Sequence, residues 1–230
     1  MRFSFVTLFP ELIRGYFDAS ILGRALEAEK FRVDYINPRE YSQNRYKKVD
    51  EPMVGGGAGM LMSPQPLDDA LKSLKADSPR ARILFLSPVG KPFRQSDARR
   101  LAAEEHLVLV AGRYEGIDER IIELHAHEVF SVGDAVLTGG ELPALMLCDA
   151  VARLLPGVLG NADSLSEESF EGALLEGPSF TKPDEFEGKR IVSEFLKGNH
   201  SKIAAIKNRM ALAKTKYFRP DLYLRAKADQ

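Results

Sequence analysis

Five short runs rich in β-branched and aromatic residues, at 3–8, 31–36, 82–86, 107–111 and 128–132, recur through the first part of the chain with amphipathic stretches between them. Runs of that length alternating with helix-period segments specify a sheet with helices packed across it. One helical stripe consists of Leu12, Ile13, Tyr16, Phe17, Leu22, Ala25 and Leu26. A second, Leu67, Ala70, Leu71 and Leu74, follows Ser63 as N-cap and Pro64 at the first helical position. The predicted fold class is therefore α/β, in a domain covering residues 1–160. The one cysteine, Cys148, sits in the apolar run LMLCDAV, which excludes an intrachain disulfide and predicts a small buried hydrophobe.

Beyond that domain the pattern changes. GVLGNADSLSEESFEGALLEGPSF, at 157–180, mixes Gly, Ser and acid with little periodicity and reads as a mobile connection, placed at 161–178. A small helical domain is expected at 179–230, where Ile203, Ile206, Met210, Ala213 and Tyr217 recur behind Asn199 as N-cap and Pro220 ends the run. Charge is as uneven as composition. The net charge is only −1, yet residues 197–227 carry nine Lys or Arg against the single acid Asp221, leaving that segment +8 and the rest of the chain −9. Between Arg153 and Lys182 there is no base, while Asp163, Glu167, Glu168, Glu171 and Glu176 are acids. A basic helical segment on an acidic protein is the footprint of a phosphate-backbone ligand, with a solvated helix face as the alternative that charge alone leaves open.

Several function classes fall away. No apolar stretch reaches the roughly 20 residues a membrane-spanning helix needs, and MRFSFVTLFPELIR turns polar too early for a secretory signal, so a cytoplasmic protein is expected. Val54-Gly-Gly-Gly-Ala-Gly-Met60 lacks the Lys-Ser/Thr of a phosphate-binding P-loop and the glycine spacing of a dinucleotide fingerprint. Its glycines instead indicate a flexible or closely approached loop. His125 and His127, read on a strand, would share a face, but no third ligand stands near them and no metal site is expected. Asp149 and Arg153, four apart on a helix, read by default as a surface ion pair.

Three loops, each placed after a strand, expose backbone where open α/β sheets hold ligands: 86–88, 112–116 and 132–143. Their wording, LSPVG, AGRYEGIDER and SVGDAVLTGGELPA, followed by DAVARLLPGVLG, resembles the bacterial tRNA (guanine-N1)-methyltransferases of the SPOUT class. GGGAGM, PQPL, FTKP, GNHSKI and FRPDL extend the resemblance over nearly the whole chain.

The resemblance implies an α/β domain with a deep trefoil knot at about 82–155, followed by a linker and an all-α domain. It implies a homodimer with the active site at the subunit interface, and transfer of a methyl group from S-adenosylmethionine to N1 of guanine-37, just 3′ of a tRNA anticodon. The donor contacts it implies are Leu86, Ser87 and Pro88 in the first loop, and Gly112, Tyr114, Glu115 and Gly116 in the second. In the third they are Val132, Gly133, Asp134, Ala135, Val136, Leu137, Gly139, Gly140 and Pro143. Glu168 stands where the family usually has an aspartate acting as base, and Arg153 matches the arginine that neutralises charge on the purine oxygen. Lys182, His200, Lys202, Lys207, Arg209, Lys214, Lys216 and Arg219 would contact tRNA. Magnesium is a family association for which the sequence spells no site. Ala135 replaces a common tyrosine, Ala58 a common proline, and Phe180 and Lys182 alter a turn that usually reads Tyr-Thr-Arg-Pro. A non-catalytic RNA-binding protein, or a SPOUT enzyme on another RNA, are the competing readings.

Overall fold

The computed structural model describes residues 1–161, 168–172 and 174–228. These fall into two compact units, Met1–Gly160 and Asn161–Gln230. In the first, the chain runs β1 (Arg2–Val6), α1 (Glu11–Arg14), α2 (Ser20–Glu27), β2 (Arg32–Ile36), β3 (Asp50–Pro52), β4 (Met60–Met62) and α3 (Pro64–Asp77). It continues through β5 (Arg82–Pro92), α4 (Gln95–Leu101), β6 (His106–Ala111), α5 (Glu119–His125), β7 (Glu128–Ser131) and α6 (Glu141–Ala152). Five strands form a parallel sheet in the order β2-β1-β6-β5-β7.

Alternation along the strands sends side chains to two cores. Phe3, Phe5, Leu84, Leu107 and Leu109 pack on one face with Phe17, Leu22, Leu101, Leu147 and Cys148 from the helices. Val6, Ile83, Phe85, Val108 and Val110 pack on the other with Leu67, Leu71 and Ile121. Because both faces are covered, β6 is buried along its whole length, and its unbroken apolar run HLVLVA follows from that. Each large side chain taken fully out of water here contributes about 1.5–3 kcal/mol.

The predicted strands appear within two residues of their expected ends, except that β5 runs on to Pro92 with a register shift between Leu86 and Lys91. The segment 86–88 is therefore part of a bulged strand and not a loop following one. Close packing of Gly90 makes this possible: a Cβ there would stand 2.6 Å from the Phe130 backbone. The stripe at 12–26 is not one helix, since the chain passes through a 3₁₀ turn at Gly15–Phe17 after α1 and a left-handed Ser20 (φ 66) opens α2.

The second unit contains β8 (Glu185–Phe186), β9 (Lys189–Arg190), α7 (His200–Phe218) and α8 (Pro220–Ala228). The expectation of an all-α domain is thus corrected by a short antiparallel pair, Glu185 opposite Arg190 and Phe186 opposite Lys189. Asn199 caps α7 by accepting from the Lys202 amide at 3.1 Å. Pro220 begins α8 as well as following α7, which suits a residue with φ preset for a first turn. On α7 the half-buried positions Ile203, Ile206 and Met210 are continued by buried Ala211 and Thr215, while Ala213 and Tyr217 are exposed. Thr215 explains the shift. Its hydroxyl donates to the Ala211 carbonyl at 2.7 Å and accepts from the Leu175 amide at 2.9 Å. Part of the stretch expected to be a free linker is therefore bonded to α7, and a Cβ on Gly177 would lie 2.9 Å from the Lys207 carbonyl oxygen. Asp163 and Glu167 lie outside the described residues.

Candidate active site

Parallel strands leave unpaired backbone groups where the chain turns off their C-terminal ends. On the first unit, β5, β6 and β7 share that edge, and a cavity of about 210 Å³ lies between the segments that leave it. Leu86, Ser87 and Pro88 line it from β5. Gly112, Tyr114, Glu115 and Gly116 line it after β6, and Val132, Gly133, Ala135, Val136, Leu137, Gly139, Gly140 and Pro143 between β7 and the first turn of α6. Asp134 alone among the expected donor contacts is not part of the lining; it is exposed. An apolar floor of Phe85, Ile117, Ile122 and Phe130 was not picked out from sequence, because strand and helix residues of this kind read simply as core.

The loops are held to one another, and not merely adjacent. The Gly140 amide donates to the Gly112 carbonyl at 2.8 Å, and a Cβ on Gly140 would sit 2.7 Å from both Ala111 Cα and Gly112 N. Only glycine permits that approach. Tyr114 and Gly116 both take left-handed conformations (φ 59 and 125), which turns the second loop back toward β4. There the Glu115 amide donates to the Met60 carbonyl at 2.9 Å and the Met62 amide to the Gly116 carbonyl at 3.0 Å. The glycine-rich segment 54–60 is thus the turn of the β3–β4 hairpin that braces this loop, a role its sequence left unspecified.

Arg113 ties the site together. Its Nε lies 2.9 Å from Glu141 Oε2, its guanidinium donates to the Thr138 carbonyl at 3.2 Å, and it stacks 4.6 Å from the Phe9 ring centroid. Glu141 is buried, and its other oxygen accepts from the Thr7 hydroxyl at 2.7 Å. This pair links the segment just after β1, the second loop and α6, and no local periodicity announces it.

Residues 1–225 match the family model described as tRNA (Guanine-1)-methyltransferase TrmD. A tRNA (guanine-N(1)-)-methyltransferase of Sulfurovum sp. (strain NBC37-1) is 62% identical over 223 residues, covering 97% of this chain and 98% of the relative. The protein of that name from Campylobacter curvus (strain 525.92) is 60% identical over 227 residues, covering 99% and 96%. One from Wolinella succinogenes is 56% identical over 231 residues, covering 100% and 98%. The chain belongs to this methyltransferase family. Its activity is that of a tRNA (guanine-N1)-methyltransferase, and the reading as a non-catalytic RNA-binding protein is set aside.

Of the other site residues expected from the family, Arg153 belongs to the first unit, and Glu168 and the basic residues to the second. Arg153, half-buried at the C-cap of α6, lines a separate groove with Tyr16, Gln95, Leu142, Leu145, Met146 and Asp149. Asp149 accepts a hydrogen bond from the Tyr16 hydroxyl, which pushes the Tyr16 pKa up to about 12, so the acid has a partner besides the arginine expected from helical spacing. Glu168 belongs to the second unit and is half-buried, its carbonyl accepting from the Glu171 amide at 3.2 Å.

On α7, Lys202, Arg209 and Lys216 recur every seven residues and are exposed, forming one basic strip about 21 Å long. Lys207 and Lys214 form a parallel, half-buried row, and exposed His200 opens the helix. Arg219 is matched by Asp221 at 2.7 Å, which holds the aspartate near 2, and Lys182 by Asp184 at 2.7 Å.

His125 and His127 are not on one strand. His125 ends α5 with Nε2 2.7 Å from Asp68, and His127 precedes β7 and accepts from the Ile83 amide at 3.0 Å. Among the described residues no group of three His, Cys, Asp or Glu is gathered for a metal. Cys148 is buried in the core, where burial raises its thiol pKa well above the usual range. No helix of the described residues is long and apolar enough to cross a membrane.

Proposed function

We propose that the glycine-walled cavity holds S-adenosylmethionine and that the methyl group passes to N1 of guanine-37, immediately 3′ of a tRNA anticodon. The observation that carries this reading is the convergence of fifteen of the sixteen expected donor contacts on one cavity. The lining suits such a ligand: Gly112, Gly139 and Gly140 carry no side chain to keep a purine edge and a ribose away from the backbone, and Phe85, Ile117, Ile122 and Phe130 supply apolar contact. When bound, the sulfonium supplies an electrophilic methyl group.

The chain's own residues must then make N1 a nucleophile, since it carries a proton near neutral pH. Glu168 accepts that proton, and the Arg153 guanidinium pairs with the charge that develops on the purine O6. Arg153 lines a groove apart from the donor cavity of its own chain, beside exposed Leu142 and Met146. That supports a homodimer in which the active site is completed across the interface. The same reading gives residues 82–155 the trefoil knot of the SPOUT class, 161–178 the linker role, and 179–230 the tRNA-binding domain. In that domain the Lys202, Arg209 and Lys216 strip tracks stem phosphates, with Lys207, Lys214, Arg219, Lys182 and His200 beside it.

Glu168→Gln tests the base directly. It is expected to abolish methyl transfer while leaving donor affinity intact, and Glu168→Asp to remain active; turnover by the Gln variant at the level of the unsubstituted protein would reject the assignment.

A further inference from the structure

The C-terminal edge of the sheet carries a fourth segment besides the three that wall the cavity. Strand β2 is parallel to β1 and, through it, to β5, β6 and β7, so residues 37–49 leave the same edge. Within them lies Arg45-Tyr46-Lys47, which serves neither core nor cavity. Tyr46 is 80% exposed, and the Arg45 guanidinium stands 5.7 Å from its ring centroid. A large aromatic left in water costs favourable burial, and this one is flanked by exposed bases on both sides.

The segment is built, not loose. Buried Ser42 donates to the Lys48 carbonyl at 2.5 Å, and Arg39 donates to the Lys47 carbonyl at 3.0 Å. Asn44 accepts from the Tyr46 amide at 2.7 Å, and the Lys47 amide donates to the Asn44 carbonyl at 2.9 Å. Lys47 is left-handed (φ 55), which closes the turn. The backbone thus holds Tyr46 outward at low cost in entropy on binding. Lys48 is neutralised by Glu51 at 2.7 Å, and Asp69 is taken up by Gln43 and Gln65. Buried Val49 then leads into β3, whose hairpin partner β4 bonds the second cavity loop at Gly116. The turn is therefore fixed, through one short hairpin, to the wall of the donor cavity.

We infer that Arg45, Tyr46 and Lys47 form a second RNA contact, on the catalytic unit: Tyr46 stacks on an unpaired base of the substrate loop, and Arg45 and Lys47 meet the flanking phosphates. Exposed aromatics interleaved with bases suit single-stranded RNA, because every base has a stacking face while its phosphates carry the charge. A surface reading only phosphates would not need the ring. The inference rests on tRNA being the substrate, and deepens that reading by adding a contact outside the basic strip of α7.

The test compares Tyr46→Ala, Tyr46→Phe and Arg45→Gln/Lys47→Gln with the unsubstituted protein and with Lys202→Gln/Arg209→Gln. The measurements are tRNA affinity against salt, methyl-transfer kinetics and donor affinity. Tyr46→Ala is expected to raise KM for tRNA on the order of tenfold with little change in the salt slope, and Tyr46→Phe to restore it. The Arg45/Lys47 pair should flatten the slope of log affinity against log salt by about 1–2. Donor affinity should not move in any of them. The substituted side chains are exposed, and thermal unfolding verifies that each variant is folded. Tyr46→Ala and the Arg45/Lys47 pair behaving as the unsubstituted protein, while the α7 variant loses tRNA, would overturn the inference and leave the function standing. Failure of the unsubstituted protein to methylate tRNA would instead overturn the reading beneath it.

Discussion

Replacing Arg113 by Met keeps most of the aliphatic stem and removes the charge that joins the cavity loops. Glu141, whose side chain is 4% exposed, would then retain the Thr7 hydroxyl at 2.7 Å but lose the cation 2.9 Å from its other oxygen. Breaking a buried pair from one side leaves an uncompensated charge, at a cost of about 3–5 kcal/mol. The lost contacts to the Thr138 carbonyl and the Phe9 ring fall within that range. For a unit the size of Met1–Gly160, about 2–4 °C per kcal/mol converts this to a fall of roughly 6–20 °C in the melting temperature. Urea and thermal unfolding, followed by circular dichroism, would measure it. The decisive comparison adds Glu141→Gln: with the carboxylate neutral, the double variant should be at least about 2 kcal/mol more stable than the two single losses sum to. A cost below about 1 kcal/mol for Arg113→Met, or strict additivity in the cycle, would show that the pair does not hold the loops.

Two further perturbations probe other parts of the structure. Gly140→Ala forces a Cβ against the Ala111 and Gly112 backbone, so it should cost about 1–3 kcal/mol by overpacking and weaken donor binding at least tenfold, as read by calorimetric titration. His106 and His127 are both held below the ordinary imidazole range, chiefly by burial, with Arg2 acting on the first and Arg82 on the second. The unfolded chain therefore takes up protons first as pH falls below about 6.5, and stability should be lost from there down toward the depressed values, at up to about 1.4 kcal/mol per pH unit for each group. Urea midpoints measured against pH should show this slope, and His106→Asn should flatten it.

The parallel strands were legible because each is short, β-branched and bounded by polar residues, and both faces of the sheet demand apolar side chains. Two of the three cavity segments, 112–116 and 132–143, were legible for a related reason: glycine and aspartate cluster where β6 and β7 end, whereas 86–88 lies within β5. What escaped reading depends on pairing over distance. β5 extends past Leu86 because Gly90 lets Phe130 approach, although Pro88 and Gly90 look locally like breakers. The β3–β4 hairpin hid behind its own glycines, and helices α4 and α5 went unnamed because seven residues hold barely two turns of periodicity. Arg113 stands in the second loop and Glu141 in the first turn of α6, and the bond from the Tyr16 hydroxyl to Asp149 joins residues 133 apart in the chain. The shift of the buried stripe on α7 toward Thr215 likewise needed Leu175 to be seen against it.

Methyl transfer itself is the most direct measurement. Purified protein incubated with labelled S-adenosylmethionine and tRNA transcripts carrying either G or A just 3′ of the anticodon, followed by nucleoside mapping, should give 1-methylguanosine at that position in the first and no label there in the second. Label on another base or on a ribose, or no label in the G transcript, would contradict the assignment of this site.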